Sequence, residues 1–142
     1  MGVVGTRILA VEDDERIRSA VKLALEDEGW IVDEAESGEE AIEKFARSNP
    51  DVVLIDIMLP GIDGFELLSH IRERYGSEQL PVLMLTNRDA GEDVIRAMRL
   101  GANDYAIKSS DMDLLLQRTR VHLQLRKSNT MVAGAYQLVR QI

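Results

Sequence analysis

The sequence predicts an α/β fold, a doubly wound parallel sheet of five strands with helices on both faces, and three observations carry that prediction. Short runs of Val, Ile and Leu alternate along the chain with longer stretches of helical period, the pattern of successive βα units. Three of the runs, ILAV at 8–11, VVLI at 52–55 and VLML at 82–85, are apolar throughout, as suits strands covered on both faces. Glycine and proline fall at the junctions between the two kinds of segment. At 142 residues the chain fits one domain, and a chain of this length buries roughly 70% of its unfolded surface.

Each element has a local reason. After ILAV, the acidic Asp14 and Glu15 suit the positive end of a first helix, IRSAVKLALEDEG, which closes at Gly29. WIVDEA at 30–35 is less apolar and suits an edge strand. Ser37 can cap a second helix, GEEAIEKFARS, with Glu40 three residues on. Pro50 leads into VVLI. In the loop MLPGIDG, Pro60 and Gly61 suit a tight turn, Asp63 reads as an N-cap, and Gly64 lets the chain enter a third helix, GFELLSHIRERYG. Pro81 leads into VLML, DVIRAMRLG makes a fourth helix, and DYAIK at 104–108 is the second edge strand. A fifth helix follows, along which Leu114, Arg118, Val121, Leu125, Ser128, Val132, Ala135, Val139 and Ile142 recur at heptad-like spacing. The early members are expected to form the inner face of that helix. Residues 131–142 have no sheet left to cover, so they are expected to be helical and to bury their apolar face on a neighbouring surface or a second copy. The SNT at 128–130 can end one helix and cap another. The expected division is a domain over residues 1–126 and a C-terminal helical extension or linker over 127–142.

Composition excludes several functions. No cysteine is present, so neither a disulfide framework nor a thiolate metal site can form, which is compatible with a reducing cytoplasmic setting. No apolar run approaches the roughly 20 residues of a membrane span, and the N-terminus lacks a basic stretch followed by an apolar one. The net charge of −8 is unevenly spread. All 25 acidic residues lie at or before Asp113, and five of the 17 basic ones lie in residues 118–142, leaving 12 in the rest. A body so acidic repels nucleic acid, and the basic tail is more simply explained by cations favouring a helix C-terminus.

The polar residues obey a spatial rule. Glu12 and Asp13 follow the first strand, Asp56 the third, Thr86 the fourth and Lys108 the fifth, so each lies at the carboxyl edge of the sheet, where open parallel sheets bind ligands. Singly, each has an ordinary explanation: a solvated helix start, a strand-end threonine, a surface cation. Together they bring three carboxylates, a hydroxyl and an ammonium to one edge. Carboxylates about 4 Å apart repel by ~4 kcal/mol at an effective dielectric of about 20, so the cluster demands a cation or a shared proton. Oxygen donors without His or Cys favour Mg2+, with Mn2+ as an alternative. An open metal position beside a carboxylate and a lysine suits phosphoryl transfer, with the Asp56 carboxylate attacking phosphorus to give an acyl phosphate. His70 and His122 lie within helical patterns away from that edge and read as packing or surface residues.

In this order the segments ILAVEDDERIR, DVVLIDIMLPGIDGFELL, PVLMLT and GANDYAIK resemble the receiver domain of two-component response regulators, over about residues 6–126. The resemblance implies a flavodoxin-like sheet of strand order 2-1-3-4-5 and a phosphorylation-activated switch. Asp56 would accept a phosphoryl group from a phosphohistidine on a sensor histidine kinase or phosphotransfer protein. Asp13 and Asp56 would bind Mg2+ directly, with the Met58 backbone carbonyl as a third ligand and Glu12 acting mainly through water. Lys108 would pair with Asp56 and then with the phosphoryl group. Thr86 would move to hydrogen-bond a phosphoryl oxygen, and Tyr105 would turn inward to fill the space vacated. No enzyme activity is implied beyond the domain's own phosphoryl transfer and autodephosphorylation.

Two positions depart from the family pattern, which usually has a proline after the lysine and a small residue after the switch threonine; here they are Ser109 and Asn87. The Lys108–Ser109 peptide is expected to be trans, because a non-proline cis bond costs about 2.5–4 kcal/mol. Asn87 and Arg88 would line the entrance. Two rival functions are an aspartate-nucleophile phosphatase and a pseudo-receiver that binds partners without being phosphorylated. Phosphatases of the haloacid dehalogenase superfamily carry a second aspartate two residues after the nucleophile, where this chain has Met58. The intact Asp13, Asp56, Thr86 and Lys108 oppose the pseudo-receiver. A kinase is expected to dock beside the first helix, around Arg16 to Ala24, and the signal to pass to a downstream output domain or a homodimer, without direct contact with nucleic acid or membrane.

Overall fold

The structure, a computed structural model, describes residues 5–87, 91–108 and 112–141, with side chains through Arg126. The expectations for Arg88, for the peptide joining Lys108 to Ser109, and for burial of the apolar face of 131–142 lie outside the described residues. Among the described residues five strands alternate with five helices: β1 (Arg7–Val11), α1 (Glu15–Asp27), β2 (Ile31–Ala35), α2 (Gly38–Ser48), β3 (Val52–Asp56), α3 (Gly64–Arg72), β4 (Val82–Thr86), α4 (Gly91–Arg99), β5 (Asp104–Ile107) and α5 (Met112–Gln141).

All neighbouring strands pair parallel in the order β2-β1-β3-β4-β5, the order implied above. The register sets Val11 beside Ile55, Asp56 beside Leu85 and Thr86 beside Ile107, so the strands end nearly level. β3 and β4 are buried at every position, whereas the edge strands β2 and β5 are mostly half-buried. Strand alternation sorts the apolar side chains into two cores. Leu9, Val11, Val53, Ile55, Val82 and Met84 pack with Leu67, Leu68 and Ile71 of α3 and with Ala41 and Ala97 of α2 and α4. Ile8, Ala10, Leu54, Leu83 and Leu85 pack with Val21 and Leu25 of α1 and with Leu115 and Leu116 of α5.

The caps form as the sequence suggests. Asp14 accepts from the N–H groups of Arg16 and Ile17, Ser37 from that of Glu40, and Asp63 from that of Glu66. Glu40 reaches back to the Glu36 N–H rather than to Ser37, so the second half of the box closes one residue early. At the opposite end of the sheet from the caps' loops, the half-buried Arg72 acts as a clamp. Its guanidinium donates to the carbonyls of Gly101 (2.8 Å), Leu80 (2.8 Å) and Tyr75 (3.2 Å) and to Asn103 Oδ1 (2.8 Å), and burial lowers its pKa to about 10.

One expectation is corrected. Val121 and Leu125 are not on the inner face of α5 but are 44% and 51% exposed, while Leu115, Leu116 and Thr119 are buried and Met112 and Leu123 pack beside them. The sheet-facing stripe follows the ordinary 3.6-residue period, and Val121 and Leu125 of the heptad-like series lie on a neighbouring stripe rotated toward solvent. The helix also runs through residues 128–130 without a break. No helix among the described residues is long and apolar enough to cross a membrane.

Candidate functional site

The ends of β1 and β3 lie side by side, and the carboxylates they carry meet. Glu12 follows β1 directly, and its N–H donates to Ala35 O (3.0 Å), extending the pairing with β2 by one residue. Glu12 and Asp56 are each 1% exposed, whereas Asp13 faces solvent. One oxygen from each of Glu12, Asp13 and Asp56 lies within 4.8 Å of the others. The Arg18 guanidinium pins the turn by donating to Glu12 O (2.9 Å).

Lys108 reaches the same point from the far edge. Its N–H donates to Thr86 O (3.0 Å), continuing the β4–β5 ladder, and its Nζ donates to Asp56 Oδ2 (3.0 Å) and lies 3.4 Å from Glu12 Oε1. The other Asp56 oxygen, Oδ1, accepts the Met58 N–H (3.0 Å). Both oxygens of Asp56 are therefore held, by different groups.

The charges are not balanced. Burial pushes the Glu12 carboxyl up to about 8, and its hydrogen bond to Asp56 and the charge of Asp56 push the same way. The Asp14 N–H and the Lys108 ammonium pull it partly back. Burial acts to lower the Lys108 pKa, but the hydrogen bond and charge of Asp56, joined by Glu12, outweigh it and raise the pKa.

The loop MLPGIDG folds tightly over the end of β3. A Cβ on Gly64 would stand 2.4 Å from Asp56 O and 2.7 Å from Ile57 Cα, so only glycine allows this approach. Gly61 has φ 71°, a left-handed conformation suited to glycine. The Met58 side chain is 65% exposed.

Thr86 and Tyr105 make other contacts in this state. The Thr86 hydroxyl is buried and donates to Asn87 O (3.3 Å). The Tyr105 ring is half-buried, with the Arg118 guanidinium 4.8 Å from its centroid. Arg118 also donates to Tyr105 O and pairs with Asp104 at 3.4 Å. A cleft of about 420 Å3, lined by Arg16, Ile17 and Ala20 of α1 and by Met112, opens beside Lys108. His122 bonds Asp104 (3.0 Å) and His70 is exposed on α3, so neither joins the acidic cluster. The structure thus gathers Glu12, Asp13, Asp56 and Lys108 as expected. It adds the Met58 N–H and Arg18, whose parts depend on backbone direction and side-chain reach that no motif spacing encodes.

Comparison with known proteins bears on this geometry. The model of the response regulator receiver domain matches residues 8–120. Among similar curated proteins, the transcriptional regulatory protein TrcR of Mycobacterium tuberculosis is 42% identical over 114 residues, covering 80% of this chain and 44% of that protein. ResD of Bacillus subtilis is 38% identical over 125 residues, covering 87% and 50%. Among solved structures, the BeF3-activated N-terminal receiver domain of Klebsiella pneumoniae RstA matches with a TM-score of 0.76 at 36% identity, covering 83% of this chain and 98% of that one. The receiver domain of NtrX from Brucella abortus matches with a TM-score of 0.77 at 32% identity, covering 82% and 98%. The chain spans about half the length of the curated relatives it matches. These likenesses favour neither the phosphatase nor the unphosphorylated binding module. With the strand order and the strand-end cluster in agreement with them, the chain belongs to the receiver-domain family of response regulators, the phosphorylation-activated switches of two-component signalling.

Proposed function

We propose that Asp56 is the phosphoryl acceptor of this switch, taking the group from a phosphohistidine on a sensor histidine kinase or phosphotransfer protein. The observation that carries the proposal is the buried Asp56 carboxylate, held by the Lys108 ammonium on one oxygen and the Met58 N–H on the other, beside Glu12 and Asp13. The residues present fit Mg2+: the donors are all oxygen, and three carboxyl groups, two of them buried, gather beside one ammonium. Asp13, Asp56 and the Met58 carbonyl would hold the ion, with Glu12 acting through water, and Mn2+ suits the same donors. When bound, it supplies positive charge to the phosphoryl oxygens.

In the transfer, one Asp56 oxygen bonds to phosphorus as the phosphorus–nitrogen bond of the donor breaks, and the electron pair leaves with the imidazole nitrogen. Lys108 keeps its place beside the acceptor and compensates the charge of the transferred group. The Thr86 hydroxyl exchanges its contact with Asn87 O for a phosphoryl oxygen, and Tyr105 moves toward the space Thr86 leaves. Attack by water on the acyl phosphate restores Asp56 and resets the switch. The α1 cleft beside Lys108 suits the approach of a donor, and an attached output domain or a second copy of the chain suits the outgoing signal.

The test is incubation with acetyl phosphate and Mg2+, read by intact mass and by peptide mapping. Wild type is expected to gain one phosphoryl group on the peptide containing Asp56, and Asp56→Asn to gain none. Labelling of Asp56→Asn to the wild-type extent would assign the acceptor to another residue.

A further inference from the structure

Between α2 and α3 a cavity of about 450 Å3 opens to solvent and reaches down to the sheet. Beneath it lie Leu9 of β1 and Val53 of β3, both fully buried core residues. Below the opening Ala41 of α2 packs with Leu67 and Ile71 of α3, and the small, exposed Ala46 leaves the space above them open. At its rim the rings of Phe45 and Tyr75 lie 5.6 Å apart and tilted, adding an aromatic wall.

The polar part of the lining holds one fixed cation, the Arg74 guanidinium, beside the His70 imidazole and the Tyr75 hydroxyl. His70 and Arg74 stand exposed at the opening, and no lining residue is acidic, although the chain as a whole carries 25 acidic residues. Arg74 has no side-chain ion pair or hydrogen bond among the described residues, in contrast to Arg72, whose guanidinium makes four hydrogen bonds. A preformed apolar volume within the usual range of ligand pockets, with a guanidinium at its opening, matches a molecule with an apolar ring system and one anionic group.

We propose that this α2/α3 cavity binds a small aromatic anion, with the ring system on Ile42, Phe45 and Tyr75 and the carboxylate or sulfonate against Arg74, with His70 beside it. The site shares no residue with the acceptor pocket at the carboxyl edge of the sheet.

Two probes of similar shape test it: 8-anilinonaphthalene-1-sulfonate, which is anionic, and N-phenyl-1-naphthylamine, which is neutral. Each is titrated into the full chain by fluorescence, and its contacts are mapped by amide NMR shifts. Both are expected to shift residues 41–46 and 67–75. Arg74→Glu is expected to weaken the anionic probe roughly tenfold and to leave the neutral one within about twofold. Ala46→Leu, which fills the opening, is expected to weaken both probes. Neither variant touches the acceptor pocket, so unchanged labelling of Asp56 by acetyl phosphate shows that each is folded. Equal affinity of Arg74→Glu and wild type for the sulfonate, shifts centred elsewhere, or no binding by wild type would overturn the proposal.

Discussion

Glu12 and Asp13 are neighbours in sequence with opposite surroundings, one 1% exposed against Asp56 and the other in solvent. Because the folded Glu12 pKa is about 8 against an ordinary 4.5, the native state binds more protons than the unfolded chain between those values. Metal-free stability from this group is therefore fully present below about pH 4.5 and is lost as pH rises through about 8, by up to a few kcal/mol at roughly 1.4 kcal/mol per unit. Urea unfolding between these limits should show the midpoint falling with pH, and Glu12→Gln should flatten that trend. Millimolar Mg2+ should raise the midpoint at neutral pH, and Asp13→Asn should weaken that response while stabilising the metal-free protein. An Asp13→Asn protein that responds to Mg2+ like wild type would remove Asp13 from the ligand set. Gly64→Ala is expected to cost about 1–3 kcal/mol and to slow labelling of Asp56, since its Cβ would displace the backbone beside the acceptor. At this scale the acidic residues and the lysine were legible because strand ends announce themselves as the end of an apolar run. The unequal burial of Glu12 and Asp13 was not, since it follows from which way each side chain leaves the strand.

α5 shows how an element can be legible while its orientation is not. Its helical nature follows from its sequence, but two apolar stripes run along it, and the sheet takes the one through Leu115, Leu116 and Thr119. The other leaves Val121 and Leu125 in solvent, and the sequence repeats apolar residues at the same spacing at Val132, Ala135 and Val139. An exposed apolar pair on the domain whose spacing the sequence repeats beyond it suits pairing between two copies. Sedimentation of the full chain is then expected to show concentration-dependent dimers, which a truncation after Lys127 abolishes. Monomers in both cases at high concentration would exclude this pairing. Tyr105 illustrates the same limit: its place on β5 is evident in the sequence, but the Arg118 guanidinium over its ring comes from another element.

Across the whole molecule the two ends of the sheet have different work. The carboxyl edge gathers Glu12, Asp13, Asp56 and Lys108, and the amino edge of β4 is tied to the turns around it by Arg72 and Asn103. Arg72→Ala would leave the carbonyls of Leu80 and Gly101 without their donor, and is expected to lower stability by about 3 kcal/mol while leaving labelling of Asp56 intact where the protein is folded. Chemical denaturation and acetyl phosphate labelling of the same sample check both halves. The fold was legible at this scale because three short, wholly apolar runs alternate with amphipathic stretches and are bounded by glycine and proline, which marks them as interior strands. The Arg72 clamp was not, because an arginine in a helix reads as surface until its neighbours in space are known. The strand order also sets a sequence of events during synthesis. β1 lies between β2 and β3, so the half of the sheet bearing Glu12, Asp13 and Asp56 can assemble as soon as β3 has emerged. Lys108 follows Asp56 by 52 residues, which at about 5–20 residues per second is ~3–10 s of ribosome time. Were that half to assemble at once, its acidic cluster would wait through that interval without Lys108, with free divalent metal in the surrounding solution as the available counter-charge.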